Sequence, residues 1–262
     1  MADQQLKEDL AAAYRICAAL EFHEGVCNHI TVAIDHPRAS TEAGGSLVIR
    51  HGVAWAEATA SDIIVFDNAT GELIEGEGRV ETTALMIHAA IHRAHHSRTA
   101  VFHCHVPYAT ALTSLEDQRL QMINQNCLRF HNSIAYDSNY QGLVEDDSEG
   151  DRVAGLLADP EHRVLFMGNH GVMVTGPSLA IAFDDLYYLE RACMNQVLAL
   201  QTNRPLQLVP EQICEHGKKQ VLDGLEYYAG VHFDAQKRMH AAGVAGPSAM
   251  EPVEEVQRNS RL

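Results

Sequence analysis

The run TAVFHCHVP at residues 99–107 decides how this chain is read. Small and apolar residues lead into His103-Cys104-His105, and Pro107 then removes a backbone donor and ends the ladder. Side chains on a strand alternate between faces, so His103 and His105 project together while Cys104 points away. Two neutral imidazoles side by side make half of a transition-metal site. A second stretch, RVLFMGNHGVMVTG at residues 163–176, reads as two strands joined by a tight turn over 168–171. His170 lies in that turn between Gly168 and Gly171, where backbone freedom lets a side chain be aimed at a ligand. His103, His105 and His170 are therefore expected to hold one divalent ion.

Working outward, HITVAI (29–34), SLVI (46–49) and DIIVFD (62–67) read as strands, and DNATGELIEG (67–76) as a turn with a short strand after it. Leu6, Leu10, Ala13 and Cys17 recur at helical spacing, which predicts a first helix over 4–22 that stops near Gly25. Ile87, Ile91 and Ala94 give a helix over 82–96, and Pro107 precedes another in ATALTSL. Ser178 is placed to cap a long helix striped by Ala182, Leu186, Leu189 and Cys193. A helical segment is expected over 210–241. No linker divides residues 1–241, so the reading is one α/β domain with three α/β/α layers and a mainly antiparallel central sheet. Residues 242–262 are poor in large apolar side chains and read as a flexible or partner-docked tail.

The chain has 262 residues, 19 Lys plus Arg against 35 Asp plus Glu, and a formal net charge of -16. That balance argues against a nucleic-acid binder or an anionic-membrane binder. No apolar run reaches the length of a membrane span, and the N-terminus reads as an amphipathic helix rather than a signal peptide. The six scattered cysteines form no CxxC pair and fit free thiols in a reducing cytoplasm. Among sixteen histidines, His88, His92 and His95 at i, i+4 and i+7 form a rival metal set on one helix. The plainer reading is a polar helix face, with His88 supporting the metal shell.

Taken together, EGVCNHITV (24–32), the segment from Ser46 to Asp67, IHAAIHRA (87–94), HCHVPYATAL (103–112) and GNHGVMVTG (168–176) resemble the class II aldolase and adducin head-domain family over about residues 5–205. The resemblance implies an α/β/α fold, a homotetramer, and a metal, usually zinc, on His103, His105 and His170, with manganese, cobalt or iron as alternatives. It also implies Lewis-acid stabilisation of charge that develops on oxygen when a carbon–carbon bond breaks. Asn28, His51, Gly52, Thr82 and Thr83 match the family's substrate-binding positions, although Cys27 and the His51-Gly52 pair depart from its phosphate signature. The aldolase acid–base Glu is matched by Ala84, with Glu81 three residues earlier. That pattern resembles a branch that includes decarboxylases. Glu81, Tyr136 and Tyr140 are candidate proton donors, and Arg50 or Arg129 are candidates to orient a carboxylate.

The reading is a metal-dependent carbon–carbon lyase, by aldol cleavage or decarboxylation, acting on a small hydroxy- or oxo-acid. The alternative is a non-catalytic adducin-like interaction domain, since fold alone does not certify chemistry. Oxygen chemistry at iron is a third reading.

Overall fold

A computed structural model describes residues 3–140, 142 and 147–244. Its eight strands are β1 (His29–Ile34), β2 (Gly45–Ile49), β3 (Ile63–Asp67), β4 (Leu73–Glu75), β5 (Ala100–Cys104), β6 (Ile134–Asp137), β7 (Val164–Met167) and β8 (Gly171–Gly176). They form one sheet in the order β4-β3-β2-β1-β5-β8-β7-β6. Every neighbouring pair is antiparallel except β6 with β7. The helices are α1 (Gln4–Ala19), α2 (Thr82–Ala94), α3 (Pro107–Thr113), α4 (Gln125–Leu128), α5 (Asp147–Leu156), α6 (Leu179–Leu200), α7 (Glu211–Asp223) and α8 (Leu225–Ala241).

Alternation along the strands builds apolar packing on both faces of the sheet. Val101, Met173, Leu165 and Ala135 face α2 and α5, where they pack on Ile87, Ile91, Val153 and Leu157. Phe102, Cys104, Val172, Val174 and Phe166 face the other way, onto Tyr14, Phe183, Leu186 and Leu189 of α1 and α6. This is the expected three-layer α/β/α arrangement with a mostly antiparallel sheet. Buried apolar side chains on both faces explain why β5, β7 and β8 read as nearly continuous hydrophobic runs rather than clean alternations.

Several expectations need adjustment. The helical segment over 210–241 is two helices, because the backbone leaves the helical region at Gly224 (φ -115, ψ 5). Glycine is costly in a helix interior, and apolar spacing carried no sign of the break. β6, α4 and α5 were not read from the sequence. β6 has four residues and only one strand neighbour, too little for a period to show. Of the expected tail, residues 245–262 lie outside the described residues.

One local device shapes the end of the sheet that matters below. The β1–β2 pairs run from Ile34–Gly45 to Val32–Leu47 and stop there. Beyond that point the Tyr14 hydroxyl stands between the strands. It donates to the Ile30 carbonyl and accepts from the Ile30 N–H (3.0 Å) and the Ile49 N–H (3.3 Å). Tyr14 is fully buried and packs edge-on against Trp55, with ring centroids 4.8 Å apart. The side chain thus satisfies backbone groups that two separating strands would otherwise leave unpaired. Tyr14→Phe keeps the ring and removes only the oxygen. Urea denaturation should show a loss of roughly 1–3 kcal/mol, the cost of burying unpaired N–H groups. A change below about 0.5 kcal/mol, the size of an ordinary surface substitution, would contradict this role.

Candidate metal centre

His103 is the penultimate residue of β5, and His105 follows the strand's end. His170 lies in the turn between β7 and β8, and the antiparallel pairing of β8 with β5 brings that turn to the same end of the sheet. Ring centroids are 5.1 Å apart for His103–His105, 4.8 Å for His103–His170 and 4.9 Å for His105–His170. One nitrogen from each ring lies within 4.8 Å of the others. The turn's glycines serve for space rather than for unusual dihedrals. A Cβ on Gly171 would lie 2.6 Å from the His105 ring, and the residue with positive φ is Asn169 (φ 56). The Asn169 N–H donates to the Thr113 carbonyl (2.9 Å), which ties the turn to the end of α3.

The outer nitrogens already have partners. His103 Nδ1 lies 3.2 Å from the Val172 carbonyl, and His105 Nδ1 lies 2.8 Å from the Glu24 carboxylate. Each partner is an acceptor, so each Nδ1 carries the proton and each Nε2 presents a lone pair. His105 Nε2 is buried without any hydrogen-bond partner, as expected of an atom shaped for a ligand. Burial, with His170 and His105 adding to it, holds His103 well below its usual pKa. Burial and the neighbouring His105 bring His170 down to about 4. These two rings are neutral at pH 7, the form a metal requires. The donor set therefore fits a divalent transition metal: three imidazoles, with at least one coordination position left open.

Behind the triad lies a buried polar layer. His29 pairs directly across from His103 in the β1–β5 ladder, and their rings stack with centroids 6.1 Å apart. His29 Nε2 is 3.1 Å from the Glu81 carboxylate. Glu81 also caps α2 through the Ala84 N–H (3.0 Å) and accepts from the Thr83 hydroxyl. Burial works against the charge on Glu81, but the bonds from His29, Thr83 and Ala84 outweigh it and hold the carboxyl at about 2. The rival histidine set is not a metal site among the described residues. His88 Nδ1 and His92 Nε2 both contact the Thr31 hydroxyl at 2.8 Å, whereas His95 turns to the Ala154 carbonyl. His92 Nδ1 donates to the Arg98 carbonyl (3.1 Å), so its Nε2 accepts from Thr31. The Thr31 oxygen in turn accepts from His88 Nδ1–H. Burial lowers both rings, His92 to about 4 and His88 further, so this layer stays neutral.

The remaining predicted residues divide. Asn28 is buried. Its carbonyl oxygen accepts from the Glu24 N–H (2.7 Å), and its Nδ2 has no partner. Tyr140 is half exposed, with its ring 6.0 Å from His170. His51 and Gly52 follow β2, and Thr82 and Thr83 open α2 next to Glu81. Tyr136 is not brought to the triad. The register Tyr136–Phe166–Val172–Cys104 sets it on the sheet face opposite His103, and its hydroxyl accepts from the Leu120 N–H (3.1 Å). A pattern for a phenol says nothing about which face it occupies. Arg50 pairs with Asp62 (2.8 Å), and Arg129 is held by Asp184 and Asp185. Glu24 and His29 were missed as site residues. Finding them needs the β1–β5 register, which no local pattern supplies.

Glu24 fixes the His105 tautomer from an exposed position, so its removal should spare the fold. Glu24→Ala is expected to weaken zinc affinity by about 10–100-fold in competition with a chromophoric chelator. Unchanged affinity would show that the Glu24 contact does not orient the ligand.

Comparison with known proteins agrees with this fold. The family model described as "Class II Aldolase and Adducin N-terminal domain" matches residues 8–197. Decarboxylase NovR of Streptomyces niveus is 30% identical over 89% of this chain and 84% of its own. The crystal structure of an aldolase II superfamily protein from Pseudomonas syringae superposes with a TM-score of 0.82 at 27% identity, covering 92% of this chain and 94% of that one. L-fuculose 1-phosphate aldolase from Glaciozyma antarctica gives 0.75 at 25% identity, covering 94% of each chain. The chain belongs to the class II aldolase and adducin N-terminal domain family.

Proposed function

We propose that the protein is a metal-dependent carbon–carbon lyase acting on a small hydroxy- or oxo-acid. The observation that carries this reading is the histidine cluster, in which His103 and His105 are locked to present Nε2 lone pairs beside His170. A divalent ion there, most simply zinc, supplies Lewis-acid stabilisation for negative charge that develops on a substrate oxygen. Three neutral ligands leave the ion's full charge for that task.

The chain's own groups take the remaining roles. Asn28 Nδ2, buried and unpartnered, offers an N–H to a substrate oxygen. The Glu81 carboxylate lies 3.1 Å from His29 Nε2 and favours a proton on that nitrogen. The hydroxyl of the half-exposed Tyr140, whose ring centroid lies 6.0 Å from that of His170, is the donor that returns a proton to carbon after bond cleavage. Decarboxylation needs no base to begin, because the carbon–carbon electron pair stays with the substrate and carbon dioxide leaves. Similarity to NovR, named a decarboxylase, and the family position occupied by Ala84 favour that chemistry over aldol cleavage. Glu81 still stands close enough to His29 for an acid–base part. The same reading includes a homotetramer, which sedimentation of the purified chain tests.

Zinc-loaded protein incubated with a panel of 3-oxo acids and 4-hydroxy-2-oxo acids should release carbon dioxide from the former, whose carbon–carbon electron pair passes to the carbonyl oxygen as carbon dioxide leaves. Tyr140→Phe should lower kcat by about 10²–10⁴ with little change in KM. Aldehyde release in place of carbon dioxide would move the assignment to aldol cleavage. Full activity in Tyr140→Phe would remove the tyrosine from the mechanism.

A further inference from the structure

A wide cleft lies away from the metal centre. It has a volume of about 710 Å³ and lies between α4, α6, α7 and α8. The two sites are separated by the sheet itself. α6 packs on the face that carries Cys104 and Val172, whereas His103 projects from the other face.

At the floor of this cleft is Arg129, whose side chain is only 9% exposed. Its Nη1 makes every one of its hydrogen bonds: to the Asp184 carboxylate (2.7 Å), the Asp184 carbonyl (3.3 Å) and the Asp185 carboxylate (3.3 Å). The guanidinium lies 4.4 Å from the centroid of the Tyr188 ring, which fixes its plane. The surrounding network is otherwise complete. Arg163 Nε donates to Asp185 (3.0 Å), His232 Nδ1 donates to Asp184 (2.7 Å), and Gln236 Nε2 meets His232 Nε2 at 3.2 Å. Two guanidinium groups therefore balance two carboxylates. The Nε and Nη2 edge of Arg129 has no partner among the described residues. That edge is the planar two-donor fork that matches a carboxylate. The walls above it mix apolar and aromatic side chains, Val221, Leu225, Tyr228 and Val231, with polar ones, Gln125, Asn126 and Gln220. A buried cation with a free bidentate edge beneath partly apolar walls matches the makeup of a small-molecule site.

We propose that this cleft binds a small carboxylic acid with an aromatic or branched apolar body. Its carboxylate lies on the free edge of Arg129 and its body lies against Val221, Leu225 and Tyr228. The site is independent of the metal centre and does not rest on the lyase reading.

The test uses benzoate as probe and benzamide as its neutral counterpart, followed by saturation-transfer NMR on the full chain. Wild type and a His103→Ala, His105→Ala variant should bind benzoate equally, because the metal centre takes no part. Benzamide should bind at least about tenfold more weakly. Val221→Trp, which fills the cleft without touching the ion-pair network, should abolish binding. Arg129→Lys, which keeps the charge but loses the fork, should weaken it about tenfold. Four results would overturn the proposal: no binding of benzoate in the tens of millimolar, equal binding of benzamide, binding that survives Val221→Trp, or binding that disappears with the metal ligands. An oligomer that comes apart in Val221→Trp would also overturn it, since a second copy of the chain would then be the occupant.

Discussion

The antiparallel pairing of β5 with β1 on one side and β8 on the other is the constraint on which the site depends. Pairing with β8 delivers the β7–β8 turn, and with it His170, to the end of β5 where His103 and His105 stand. Pairing with β1 sets His29 across from His103 and Thr31 across from Val101, so the polar layer behind the triad follows from the same register. A slip of one residue would turn His103 into the α6 core and bring Cys104 to the metal side. The burial of Phe102 and Cys104 against α6, and of Val101 and Met173 against α2, specifies the register from both faces.

The chemistry follows from how charge is distributed. The chain carries a net charge of -16, yet the triad and the layer behind it are built from imidazoles, amides and hydroxyls, with Glu81 the one carboxylate touching that layer among the described residues. Burial depresses His103, His170, His88 and His92, so none of these rings competes for a proton at neutral pH. Such an environment suits an ion whose charge is needed for substrate. Glu24 stands one step back, where it fixes the proton on His105 Nδ1 and leaves Nε2 free, and Glu81 lies beside His29.

Much of this was legible in the sequence, for identifiable reasons. The His-Cys-His spacing has a meaning on any strand, and the Gly-Asn-His-Gly turn has one on any hairpin, so the clustering of the three histidines could be read locally. Ser178 was read as a cap and does accept from the Ile181 N–H. The hidden parts depend on contacts between distant segments. Tyr14 reads as one more apolar residue of a helix, and nothing near it announces that its oxygen will stand between two strands. His29 looks like an isolated histidine until β1 is laid beside β5. His88 and His92 look like a ligand pair at i and i+4 until Thr31, from another element, takes a nitrogen of each. Tyr136 and Tyr140 are indistinguishable by type. Register alone places the first on the far face, while the second reaches His170.

Metal content per chain is the most direct test of the account. Elemental analysis of the purified wild type, beside a His103→Ala, His105→Ala double variant, compares the two proteins under one protocol. The account requires about one divalent transition-metal ion per wild-type chain and essentially none in the variant. A wild type that stays metal-free after incubation with zinc, manganese, cobalt and iron, or a variant that keeps its ion, would contradict it.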